Sequence, residues 1–134
     1  MNSFNCKIQV RFNDFDSQKI VNHTKICEYI ETAYVDFFKE EINPDWNYES
    51  IPLVLRKEIT EFLIPITGDS KPVCRVQVSE VRRSSFTLLI AVMDEDSAKT
   101  YATAERVIVN IDFETKRPVS LDEMIKENLN LFKI

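Results

Sequence analysis

The sequence predicts an α+β fold in which a largely antiparallel five-stranded sheet wraps one long helix, with a short helix at the C-terminal end. Three observations carry that expectation. The apolar period is two at the start of the chain, changes to between three and four near His23, and returns to β-type alternation from about Ile51. The later strand-like segments are joined by short turns, which favour antiparallel neighbours. The 134 residues suffice for one domain, 1–134, with its own core, and show no internal repeat, low-complexity tract or linker.

Residues 4–13 alternate, with Phe4, Cys6, Ile8, Val10 and Phe12 on one face and polar residues on the other, as in a half-buried strand. Over 23–40 the core-facing positions Ile26, Ile30, Ala33 and Phe37 recur at spacings of four, three and four, joined by Tyr29 and Tyr34. Asn22 or Thr24 is placed to cap that helix. Residues 43–50, containing Pro44, read as a loop. A strand over 51–66, bent near Pro65, leads to the turn Thr67-Gly68-Asp69-Ser70, which holds the only glycine. Strands follow over 73–82 (Cys74, Val76 and Val78 on one face), over 85–94, and over 99–113 after the turn Asp94-Glu95-Asp96-Ser97. Residues 114–118 stop the last strand, and Ser120 is a plausible N-cap for a short helix through Leu131. Such a sheet has two edges to hide, so pairing through an edge is expected.

A formal net charge of -5 argues against a nucleic-acid surface, which needs clustered positive charge. No apolar run approaches the roughly 20 residues that span a bilayer. Met1-Asn2-Ser3-Phe4-Asn5 lacks the basic and apolar regions of a signal peptide, so the expected compartment is the cytoplasm. Cys6, Cys27 and Cys74 form no CxxC pair and have no companion histidines, so buried free thiols are expected, and no metal.

The chemistry should sit where the first strand meets the long helix. Arg11-Phe12-Asn13-Asp14-Phe15-Asp16 is followed, seven residues after Asp16, by His23, the only histidine. A helix N-terminus there offers free backbone N–H groups around residues 22–24 and partial positive charge beside a carboxylate. From the residues alone, Asp14 and Asp16 read either as turn carboxylates bonding local backbone or as reacting groups. A second cluster, Arg82-Arg83-Ser84-Ser85, has guanidinium and hydroxyl donors suited to phosphate, or is simply a solvated strand end. Arg56 and Lys57 are weaker candidates of the same kind.

Three motifs in this order resemble the hotdog-fold thioesterases of the 4-hydroxybenzoyl-CoA thioesterase type. They are Val10-Arg11-Phe12-Asn13-Asp14-Phe15-Asp16 with Val21-Asn22-His23 downstream, Arg82-Arg83-Ser84-Ser85-Phe86, and Asp112-Phe113-Glu114-Thr115-Lys116-Arg117-Pro118-Val119. The resemblance implies a hotdog fold and hydrolysis of an acyl-CoA to free acid and CoA, with no cofactor beyond the CoA of the substrate. It implies Asp16 as the catalytic carboxylate, nucleophile or general base, with His23 at the spacing of the histidine found in some members. Arg82, Arg83, Ser84 and Ser85 would hold the CoA moiety. Asp14 reads as a structural partner, of Arg11 for instance. The site of such enzymes lies between paired subunits, so a homodimer or homotetramer is expected. Where other members have Gly-His-Val-Asn-Asn, this chain has Lys19-Ile20-Val21-Asn22-His23, with Ile26 where a tyrosine is usual. Those replacements motivate a second hypothesis, an acyl-thioester binding protein without turnover. A third is a hotdog dehydratase acting on a hydroxyacyl thioester.

Overall fold

The computed structural model describes residues 2–45 and 52–134. Five strands, β1 (Phe4–Lys7), β2 (Leu53–Phe62), β3 (Pro72–Val81), β4 (Ser85–Asp94) and β5 (Thr100–Asn110), form one antiparallel sheet in the order β1-β3-β4-β5-β2. Helix α1 (His23–Phe37) packs on its inner face and α2 (Glu123–Asn130) closes the chain. This is the α+β arrangement expected. Residues 46–50 of the expected loop, and Ile51 at the expected start of a strand, lie outside the described residues.

Alternation sets which side of each strand meets the helix. In β3, Cys74, Val76 and Val78 are fully buried, and their partners Val92, Ile90 and Leu88 of β4 are buried with them. From α1, Ile26, Tyr29, Ile30, Ala33, Tyr34 and Phe37 fill the same core, the stripe that the spacing predicts. α-Helical geometry ends at Phe37. One π-helical turn over Phe38–Ile42 follows, closed by the Asn43 N–H on the Phe38 carbonyl at 2.8 Å, and it buries both Phe38 and Ile42.

Four expectations are corrected. The first strand stops at Lys7 because β3 starts at Pro72, which leaves nothing to pair with beyond Ile8. The chain then makes a 3₁₀ turn at Phe12–Asp14, so Phe12 is 91% exposed, the reverse of the alternation, while Asp14 is 1% exposed. The 51–66 strand ends at Phe62, where the Leu63 and Ile64 N–H groups converge on the Tyr101 carbonyl and turn the chain toward the start of α1. The last strand ends at Asn110, because the Asp112 carboxylate accepts the Glu114 and Thr115 N–H groups and folds a turn. Ser120 caps nothing. Backbone bonds from Val119 to Asn110 and from Leu121 to Arg83 hold this segment extended, and α2 begins after Asp122.

The three cysteines are free thiols. Cys74 is buried but Cys6 and Cys27 only half so. Burial pushes the Cys74 thiol up to about 12. Among the described residues no helix is long and apolar enough to cross a membrane.

Candidate active site

The loop between β1 and α1 is a set of nested backbone bonds. Asp14 donates its N–H to the Arg11 carbonyl at 2.9 Å, and its own carbonyl accepts the Asn22 N–H at 2.9 Å. Phe15 and Val21 pair across the loop as an antiparallel bridge. Between them the Asp16 N–H bonds the Ile20 carbonyl at 2.9 Å and the Lys19 N–H bonds the Asp16 carbonyl at 3.0 Å. This tight return places Lys19 at a φ of 64°, in the left-handed region that favours glycine. Lys19 occupies the position where resembling sequences carry glycine, and its backbone takes a conformation that favours glycine.

The two aspartates have different environments. The Asp14 carboxylate is buried, with Oδ2 accepting the Tyr29 hydroxyl at 2.5 Å and the Arg11 N–H at 2.9 Å, and Oδ1 lying 3.4 Å from the Arg11 guanidinium. Burial alone would raise its pKa, but the Tyr29 hydroxyl and the Arg11 donors outweigh burial and hold it below the ordinary value. Asp14 is therefore a structural anion with Arg11 as one partner. Asp16 is half-buried, and only Oδ1 is held, by the Gln18 N–H at 2.8 Å. Oδ2 has no hydrogen-bond partner among the described residues.

The start of α1 narrows the expected set of donors. The Asn22 side chain caps the helix by accepting the Thr24 N–H at 2.9 Å, and the Asn22 N–H is spent on Asp14. Of the three N–H groups from 22 to 24, only that of His23 has no acceptor among the described residues. The His23 imidazole is exposed and meets the Phe62 ring edge-on, with centroids 5.9 Å apart.

Asp16 and His23 line one cavity of about 410 Å³, walled by Ile20, Ile26, Phe62 and Ile64. Its outer wall is the segment after β2, tied down where the Ile66 carbonyl accepts the Val21 N–H at 2.9 Å. Asp16 also borders a second, more apolar hollow of about 570 Å³ beside Phe12, Phe15 and Lys19. It thus stands between two openings.

The other predicted cluster lies elsewhere. Arg82 and Arg83 occupy the β3–β4 turn, and the Asp16 cavity adjoins the opposite end of the sheet, where Phe62 pairs with Ala102. A ten-residue strand separates the two ends by about 30 Å. Arg82 is ion-paired to Glu80, and its Nη1 reaches the Thr87 hydroxyl at 3.0 Å and that of Ser85 at 3.5 Å. Ser85 is buried; Arg83 is exposed and Ser84 half-exposed. Arg56 and Lys57 are exposed at the bulge in β2.

Sequence reasoning missed three features. One is the bond from Tyr29 to Asp14, which a tyrosine on a core-facing stripe hints at, since its buried hydroxyl needs an acceptor. Another is the turn after Phe62 that walls the cavity. The third is Arg106, 5% exposed, held by Glu31 of α1 at 2.9 Å and Glu58 of β2 at 3.0 Å beneath the Tyr34 ring. No spacing signals that cross-element cluster. Among the described residues no group of three His, Cys, Asp or Glu side chains is placed to hold a metal ion.

Comparison with known proteins gives a consistent picture. A family model described as the thioesterase-like superfamily matches residues 10–129. A predicted thioesterase from Bacillus stearothermophilus superposes with a TM-score of 0.89 at 18% identity, over 99% of this chain and 98% of its own. A thioesterase from Thermus thermophilus, solved with coenzyme A and Zn, is 27% identical over 93% of this chain and 95% of its own, with a TM-score of 0.81. A 1,4-dihydroxy-2-naphthoyl-CoA thioesterase from Synechocystis has a TM-score of 0.82 at 16% identity, over 96% of each chain. No curated protein sequence matches significantly.

Proposed function

The chain belongs to the thioesterase-like superfamily, and from that premise we propose that it hydrolyses acyl-CoA thioesters to the free acid and CoA at the Asp16 cavity. The observation that carries the reading is that one cavity is lined by both Asp16, with one carboxylate oxygen unbonded, and His23, whose backbone N–H has no acceptor among the described residues. A bound thioester with its carbonyl oxygen on that N–H gains a donor where negative charge develops, reinforced by the positive end of the α1 dipole. Asp16 Oδ2 then has two routes. As nucleophile it forms a C–O bond while the C–S bond breaks, CoA leaves as thiolate, and water hydrolyses the mixed anhydride. As general base it takes a proton from a water that attacks the carbonyl directly, the C–S bond then breaks, and the proton passes to the departing CoA thiolate. The His23 imidazole, on the same cavity, is placed to orient that water.

The CoA phosphates call for cations, and Arg83 with Ser84 supplies exposed donors at the β3–β4 turn. Arg82 must give up Glu80 to join them. Because that turn lies at the far end of the sheet from Asp16 of the same chain, these residues serve the site of a second protomer. This agrees with a homo-oligomer whose site lies between subunits.

Lys19 and Ile20 motivate the reading of a binding protein without turnover. Lys19 itself adopts the left-handed conformation that a glycine would, so the turn beside Asp16 forms without one. The deciding experiment measures free CoA release across acyl-CoAs of varied length and aromaticity, with crotonyl-CoA hydration followed alongside. Saturable release is expected. Saturable binding without release would establish the binding protein instead, and hydration without release the dehydratase.

A further inference from the structure

We infer that Tyr29 is a positioning residue, whose hydroxyl acts through Asp14 to fix the helix-start N–H of His23 relative to Asp16. The inference rests on the thioesterase reading above. Tyr29 and Asp14 are 4% and 1% exposed, so water cannot replace their bond. Tyr29 lies seven residues after the cap Asn22, about 10 Å along the helix. Its hydroxyl reaches back at 2.5 Å to an aspartate that precedes the helix and stands two residues before Asp16. The same Asp14 accepts the Asn22 N–H on its carbonyl, and Asn22 accepts the Thr24 N–H on its side chain.

One residue thus ties three things together. Its carboxylate grips the body of α1, its carbonyl grips the first backbone group of the helix start, and its chain continues directly to Asp16. The consequence is selective. The clasp occupies the N–H groups on either side of His23 and leaves that of His23, a residue lining the cavity, unspent. Arg11 is a poor substitute for Tyr29, because its side chain is 62% exposed and its guanidinium stands 3.4 Å from the other oxygen. A phenylalanine at 29 keeps the ring in the core and removes only the link. Misplacing a reacting group by about 1 Å can cost up to a hundredfold in rate, so a loose clasp should act on turnover.

The test compares Tyr29→Phe with wild type in steady-state hydrolysis and in backbone amide exchange. The expected result is a kcat about ten- to a hundredfold lower, with KM within about twofold, and faster exchange at the Asn22 amide while the amides of the middle of α1 stay as protected as before. Adding Tyr29→Phe to Asp14→Ala should cause no further loss of kcat, since the alanine already removes the acceptor of the Tyr29 hydroxyl. A Tyr29→Phe protein with wild-type kcat, or with wild-type exchange at Asn22, overturns the inference. If Tyr29→Phe retains kcat while Asp16→Asn loses it, only the positioning role falls. If the wild type releases no CoA from any acyl-CoA, the thioesterase reading falls, and the Asn22 exchange still decides whether the clasp exists.

Discussion

Lys19 holds a backbone conformation that costs a side-chain-bearing residue roughly 1–2 kcal/mol, and nothing but the turn between Asp16 and Ile20 requires it. Its side chain is exposed. Lys19→Gly should therefore relieve the strain, less the greater entropy that glycine loses on folding, and raise stability by about 0.5–1 kcal/mol. Denaturant unfolding monitored by circular dichroism reads this directly, and a lower midpoint would show that the lysine side chain contributes something the turn geometry hides. The same scale shows why two neighbouring aspartates cannot be sorted by composition. Asp14 and Asp16 are both turn-compatible acids two residues apart, yet one is sealed beneath Tyr29 and the other keeps a free oxygen. The distinction depends on a tyrosine fifteen residues away, beyond the reach of any local pattern.

At the level of elements, strand β4 and the start of α1 can be read from alternation and capping chemistry, because each depends on its own residues. The end of β1 cannot. Phe12 continues the period of two, but a strand exists only where a partner continues, and β3 begins at Pro72. The start of α2 escapes the local pattern for a similar reason, since two backbone bonds outside the helix override a good capping serine. The β3, β4 and β5 strands are also joined at one corner by Asp94, which accepts the Tyr101 hydroxyl at 2.8 Å and the Lys71 N–H at 3.1 Å. The Ser97 hydroxyl, with these two donors, holds its carboxyl at about 2 against an ordinary 3.8. A carboxyl depressed on folding stabilises the fold above its unfolded pKa, and that contribution is lost as pH falls through the folded one. Acid unfolding should accordingly steepen between about pH 4 and pH 2 in the wild type, and Asp94→Asn should flatten the curve in that window. An unchanged acid limb would assign the lost stability to other carboxylates.

At the level of the molecule, the fold leaves β2 as an edge with large apolar side chains in the open. Val54, Leu55, Ile59, Phe62, Leu63 and Ile64 along or just beyond it are 40–53% exposed. A long apolar edge is an invitation to pair, and a second copy of the same strand would satisfy it, in keeping with the homo-oligomer proposed above. Ile59, on the outer face and 47% exposed, is a suitable probe because a charge there does not disturb the core. Ile59→Lys should shift the protein toward the mass of a single chain in sedimentation and lower hydrolysis with it. A variant that sediments like the wild type would place the subunit contact elsewhere. The order of elements along the chain and the one long helix followed from the pattern of periods, whereas the spatial order of the strands, and with it the separation of Asp16 from Arg82 and Arg83, emerged only when the strands were assembled. The two predicted clusters stand at opposite ends of a ten-residue strand.

The central claim is that Asp16 carries the reaction. The direct measurement is the rate of free CoA release from the best acyl-CoA substrate by wild type and by Asp16→Asn, with circular dichroism confirming equal folding. A rate lower by about 10²–10⁴ is expected in the variant, the range for removal of a positioned acid–base or nucleophilic group. A variant releasing CoA within about twofold of wild type would contradict it.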